Sequence, residues 1–152
     1  DDQETPDTHS VCFEFEGGKQ ATWEGLRCNK HRVDSGFVSF YGTEGTLAIE
    51  GSGAFKVYDR NEKVVTEEKG HMDDGDHIGN FVAAIRENQP LNLNAEILIG
   101  YKSTLLCHLG NIAHRTGHSL KCDPENGHIL NDADAMSLWK REYEPGWEPT
   151  IG

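Results

Sequence analysis

Several things are missing from this chain, and each absence removes a class of function. No run approaches the roughly 18 consecutive apolar residues that a membrane-crossing helix needs, so no transmembrane role is expected. Basic residues are scarce: 14 Lys and Arg stand against 26 Asp and Glu, a net charge of −12. A field of that sign repels phosphate backbones and anionic lipid, which argues against nucleic acid and membrane surfaces as partners. Cys12, Cys28, Cys107 and Cys122 form no CxxC pair, so neither a zinc knuckle nor a thioredoxin-type site is signalled. Four cysteines allow two disulfides, but reduced, half-buried thiols are the expectation. No phosphate loop of the GxxxxGK type occurs, and Gly51-Ser-Gly53 lacks the third glycine and the following helix of a dinucleotide fingerprint. The chain therefore carries no nucleotide-binding element of its own. HExxH and GxSxG are absent too, which gives no support to a zincin or a serine triad. No secretory signal is visible. Because the first residue is Asp1, a fragment or a processed product is expected. Cytosolic residence is the expectation, with export by an upstream signal left open.

What is present has a clear order. The 152 residues suffice for one domain with a core, read as 1–152 with extended or frayed ends at 1–8 and 144–152. The first half has period two. Val11, Phe13 and Phe15 alternate with Cys12, Glu14 and Glu16, Gly17-Gly18 marks a hairpin turn, and a return strand centres on Trp23. Residues 28–36 form a polar loop. Strands at 37–41, 46–50, 54–59 and 63–68 follow, separated by glycine-rich or polar turns, so about six short strands form an antiparallel meander. Val38, Phe40, Ala48 and Tyr58 alternate against Phe37, Leu47, Ile49, Phe55 and Val57, which predicts apolar groups on both sheet faces. A face that no helix covers then needs a partner, and a homo-oligomer through that face is expected. Scattered surface aromatics are the plainer reading.

The second half changes to a helical period. Ile78, Phe81, Val82 and Ile85 make one stripe, capped by Asp74 or Asp76 and ended by Pro90. A longer helix, capped by Asn94, runs through Ile97, Leu105, Leu109 and Ile112 to a stop at Gly117, on the order of 33 Å. Asn131 or Asp132 caps a third helix with Ala135, Met136 and Trp139. The apolar stripes are expected to pack on the sheet. Strands first and helices afterwards predict an α+β fold: an open, mostly antiparallel sheet with helices packed on one face.

The chemical candidates are few. His77 and Asn80 lie one turn apart on one helix face, and they read either as a pair facing a polar ligand or as a helix start satisfied by its own side chains. Arg27, Asn29, Lys30, His31 and Arg32 are a positive patch suited to an anionic or polyhydroxylated ligand, or else a solvated loop. His71, Asp73, Asp74, Asp76 and His77 form the best metal-like cluster, but a solvated, cap-rich turn accounts for them more simply. Asn111 and Arg115 read as ties to the carboxylates near Asp123 or Asp132.

Gly42-x-x-Gly-Thr-Leu47, Lys56-Val-Tyr-Asp59, Asp76-His-x-x-Asn-Phe-x-x-x-Ile-Arg86, His108-Leu-Gly-Asn-Ile-Ala-x-Arg-x-Gly117, Asp132-x-x-Ala135 and Tyr143…Trp147 together resemble the C-terminal domain of the glucose–fructose oxidoreductase, inositol dehydrogenase and MocA (Gfo/Idh/MocA) family, from about the first strand to Trp147. The resemblance implies an enzyme of two domains. An N-terminal Rossmann domain binds NAD or NADP, and the C-terminal α+β domain supplies the substrate pocket and the oligomer interface. The usual reaction it implies is hydride transfer at a hydroxyl carbon of a sugar or cyclitol; some members use tightly bound NAD to hydrolyse glycosides. The departures are the absent Rossmann fingerprint, the absent Glu-Lys-Pro motif and the apparent start beyond the family's Asp…His helix, so no catalytic residue carries over. The expected function is a substrate-binding and oligomerisation domain, inactive alone, with His77, Asn80, Arg27 and His31 as substrate contacts and no cofactor held by this chain. A stand-alone binding or assembly module is the other reading, and a domain of a glycoside hydrolase of the same family is the third.

Overall fold

β-Branched and aromatic residues in alternation build six strands. Helices begin where the apolar period lengthens and a carboxylate can cap the first turn. The computed structural model describes residues 6–27, 37–71 and 73–149. The strands are β1 (Thr8–Phe15), β2 (Lys19–Leu26), β3 (Val38–Tyr41), β4 (Gly45–Ile49), β5 (Phe55–Asp59) and β6 (Val64–Glu68). The helices are α1 (Asp74–Arg86), α2 (Ile97–Thr116) and α3 (Ala133–Ser137). The α+β class and the open antiparallel sheet architecture hold. The meander, however, divides into two sheets, a β1–β2 hairpin and a four-stranded sheet ordered β3-β4-β5-β6. The polar stretch between β2 and β3 carries no alternating pattern that would pair them.

The chain forms two compact units, one of Asp1–Cys28 with Ile97–Gly152 and one of Asn29–Glu96. In the first, the hairpin turns through Gly17 and Gly18, both at positive φ, a backbone region that glycine enters without steric cost. Val11 pairs with Trp23 and Phe13 with Ala21, so they share one face. That face rests on α2: a Cβ at Gly110 would lie 3.1 Å from Val11 Cγ2. One helical turn on, the His9 and His114 rings meet at 5.2 Å. A strand stepping by two beside a helix stepping by four brings these pairs together. Gly117, at φ +74°, stops α2 as expected.

The core of this unit is Leu109, Ile112, Ile129 and Ala135, with Leu105, Leu120 and Met136 packed against it. The α2 stripe thus buries mainly against α3 and the segment before it, rather than against a broad sheet. That segment is a small hairpin in which Leu130 N donates to the Lys121 carbonyl and Asp123 Oδ1 accepts from Glu125 N. In the first turn of α2, Ile97, Leu98 and Ile99 are exposed.

In the second unit the register corrects which apolar residues share a face. Val38 pairs with Ile49, Phe40 with Leu47, Leu47 with Val57, and Ile49 with Phe55. Directly paired residues share a face. One face therefore collects Val38, Phe40, Leu47, Ile49, Phe55 and Val57, and the other holds Ser39, Tyr41, Thr46, Ala48, Lys56 and Tyr58. Parity within a strand is readable from sequence, but parity between strands depends on turn length, and a slip of one residue exchanges the faces. Gly45 shows what sets this turn: a Cβ there would run into the Tyr58 carbonyl. Val65 is the extra residue of a bulge opposite Val57 and Tyr58. No strand residue of this sheet is buried.

Helix α1 is capped by Asp73, whose Oδ1 accepts from Gly75 N at 2.7 Å, rather than by the expected Asp74 or Asp76. Those two instead lie in the first turn, where carboxylates favour the helix dipole. Ala84 is its one buried residue. Ile78, Phe81 and Ile85, expected to pack on the sheet, are 59, 55 and 62% exposed. The stripe locates an apolar side, and nothing in a periodicity says what covers it.

Candidate functional site

Asn80 sits on the side of α1 that meets the short 3-10 turn Pro90–Asn92. Its Nδ2 donates to the Asn92 carbonyl at 3.0 Å, and its Oδ1 accepts from Asn94 N at 2.9 Å. The amide therefore clamps the segment between the first two helices and keeps one donor hydrogen and one acceptor lone pair for anything else. Asn94 serves this clamp, and α2 starts three residues later at Ile97. His77, one turn before Asn80, is exposed and donates only its backbone N–H, to Asp73 O at 3.2 Å.

Just upstream, one ligand atom each from His71, Asp73 and Asp76 lies within 4.8 Å of the others, all on exposed side chains. The His71 Nε2 distances to Asp73 and Asp76 are 4.0 and 3.8 Å, too long for hydrogen bonds. The Asp73 carboxylate already serves as the helix cap. The arrangement is that of a solvated helix start.

Arg27 follows β2, with its backbone N–H donating to Asp7 O at 2.8 Å. It belongs to the first unit, while His77 and Asn80 belong to the second. His31, with Asn29, Lys30 and Arg32, lies outside the described residues. Of the four expected substrate contacts, the structure thus places His77 and Asn80 on one helix and Arg27 on a separate unit.

Two features were not foreseen. An open depression of about 500 Å³ lies at one end of the four-stranded sheet, lined among others by Phe40, Thr43, Glu44, Leu47 and Val57. Its rim is held by Arg60, whose Nε donates to Thr43 O at 2.6 Å and whose Nη2 meets Glu44 Oε1 at 3.0 Å. The Gly42-x-x-Gly45 spacing marked this turn without revealing the depression beneath it.

The second feature is a histidine–aspartate pair. His118 Nε2 lies 2.6 Å from Asp132 Oδ2 and its Nδ1 lies 3.1 Å from the Thr116 carbonyl. Asp132 Oδ1 accepts from Ala135 N at 2.9 Å, so one carboxylate caps α3 and holds the imidazole. A tie to the Asp132 carboxylate, of the kind expected of Asn111 and Arg115, is made by His118. The hydrogen bond to Asp132, then that to Thr116, raises the His118 pKa. The Ala135 N–H, followed by His118, lowers that of Asp132. Both ring nitrogens are spent on protein acceptors, which leaves neither free to move a substrate proton. The signal was present in sequence: a histidine just past a C′ glycine and an Asn-Asp pair before a short apolar run. Burial pushes the Cys122 thiol up, which disfavours its thiolate.

Residues 26–149 match the profile of the oxidoreductase family, C-terminal alpha/beta domain, of the Gfo/Idh/MocA group. The chain belongs to that family, as its C-terminal domain, and such a domain implies an N-terminal partner domain. The match begins at Leu26 rather than at the first strand, so β1 and nearly all of β2 lie outside it. No curated protein and no solved structure matches the chain. Among the described residues, no helix is long and apolar enough to cross a membrane.

Proposed function

We propose that this chain is the substrate-binding and oligomerisation domain of an NAD- or NADP-dependent oxidoreductase acting on a sugar or cyclitol, and that it is inactive by itself. The observation that carries the reading is the family match over residues 26–149, joined to a sequence with neither a dinucleotide fingerprint nor a catalytic motif. The cofactor belongs to the N-terminal domain. His77 and the remaining valences of Asn80 contribute polar contacts to the substrate. The apolar face around Phe40 and Leu47 supports the oligomer, because contiguous exposed apolar patches tend to mark interaction surfaces.

Calorimetric titration with NAD and NADP tests the reading. The chain alone shows no saturable binding, and the protein carrying its upstream domain binds one of the two and oxidises a polyol. Tight, saturable binding by the chain alone overturns it. The upstream gene sequence separates the stand-alone reading: an in-frame Rossmann motif supports the oxidoreductase, and a start codon near Asp1 supports an independent module.

A further inference from the structure

The end of α2 and the start of α3 are joined by the His118 side chain. Its two ring nitrogens face two acceptors, the Asp132 carboxylate at 2.6 Å and the Thr116 carbonyl at 3.1 Å. A neutral imidazole has one N–H and one lone pair, so it satisfies one acceptor and turns a lone pair toward the other. The imidazolium donates to both. The geometry therefore selects the cation. Asp132 ties this bond to the helix itself, because its other oxygen caps α3 at Ala135 N. Ala135 is fully buried at the centre of the cluster with Leu109, Ile112 and Ile129. Asn131, just before the cap, holds a positive φ of 56°, so the approach to α3 is held in a conformation uncommon for a residue with a side chain.

We propose that His118 and Asp132 form a pH-set clasp that fastens α3, and with it the segment leading to the C-terminal tail, to the end of α2. It is closed while the imidazole is protonated and loosened when it is neutral. The charged groups acting on His118 are Asp132 and Asp134, both from the start of α3, and α2 contributes the Thr116 carbonyl. His118 is half exposed, with a side-chain accessibility of 51%, so solvent protons reach it. The shifts agree in sign with this. A raised histidine pKa contributes stability that is fully present below the unfolded value near 6.5 and is lost as pH rises through the folded value. A lowered aspartate pKa contributes stability present above the unfolded value near 3.8 and lost as pH falls through the folded one. The clasp is closed between those limits and opens as pH rises through the folded His118 value. His128, stacked on Trp139 at 4.7 Å, is a second imidazole near the same end of α3, so the test must separate the two.

Two measurements on the full chain do so. NMR titration of the imidazole C–H signals assigns His118 a midpoint above the ordinary histidine value. Amide exchange of Ala135 and Met136, normalised for the intrinsic rate, then rises several-fold between pH 6 and pH 9, while that of Leu47 and Val57 in β4 and β5 does not. In His118→Gln the α3 exchange is independent of pH over that range. A His118 midpoint at or below the ordinary value, or α3 exchange in the unaltered chain that is flat with pH, overturns the proposal. Neither result requires the variant to fold.

Discussion

Leu109, Ile112, Ile129 and Ala135 are buried to between 0 and 8% exposure in the unit built on α2. In the unit built on the four-stranded sheet, six apolar residues share a face and none is buried. The two units draw on similar residues and differ in what covers them. In the first, a long helix, a short capped helix and a small hairpin supply the walls of a core. In the second, α1 is tied to the Pro90–Asn92 turn and leaves Ile78, Phe81 and Ile85 exposed. An apolar face that stays uncovered costs free energy in proportion to its area. The difference makes the uncovered sheet face of the second unit a candidate interaction surface, which the association of a Phe40→Lys variant tests.

The comparison can be broken first where the core is closed. Leu109→Ala is expected to destabilise the first unit by about 2–5 kcal/mol, measured by denaturant unfolding, whereas Val38→Ala on the uncovered face changes the stability of the isolated chain by less than about 1 kcal/mol. Equal costs at the two positions would contradict the contrast. Next in size is Asn80→Ala, which removes two hydrogen bonds to the backbone at Asn92 and Asn94. A loss of about 1–3 kcal/mol, with faster amide exchange at Asn94, marks the clamp. If Asn80 also meets substrate, KM of the complete enzyme rises beyond what a stability-matched variant shows. Asp73→Ala takes away the α1 cap, at about 1 kcal/mol; an unchanged helix start, read by exchange of the Gly75 amide, would argue against that role. Smallest is Gly110→Ala. Helix propensity favours it by about 1 kcal/mol, while Val11 Cγ2 at 3.1 Å from the new Cβ opposes it, so a net change near zero is expected, and Gly110→Val should cost clearly more.

Much of this fold was legible in the sequence, for reasons that can be located. The period of two in β1 and of 3.6 in α2, the Gly17-Gly18 turn and the Gly117 stop are local signals, and local signals survive into the structure. The facing of the four-stranded sheet was not legible. The relation of Phe40 to Leu47 depends on how the Gly42–Gly45 turn closes, which a backbone approach to Tyr58 decides. The covering of α1 was equally out of reach, because Ile78, Phe81 and Ile85 look the same in sequence whether their partner lies in this chain or beyond it. At the candidate site, spacing singled out His77 and Asn80 as candidates, but the work Asn80 does for Asn92 and Asn94 depends on a loop whose path no motif describes. His118 was passed over because Gly117 ends the helix before it. That break is what turns the ring toward Asp132.

The central claim is that the apolar face of β3, β4 and β5 is an interface. Sedimentation velocity over a wide concentration range, on the unaltered chain and on Phe40→Lys, tests it most directly. Phe40 is 57% exposed, so the lysine leaves the fold of the single chain intact. The account predicts concentration-dependent association of the unaltered chain and association weakened by at least about tenfold, or roughly 1.4 kcal/mol, in the variant. A chain that stays monomeric at the highest concentration, or a variant that associates like the original, would contradict it.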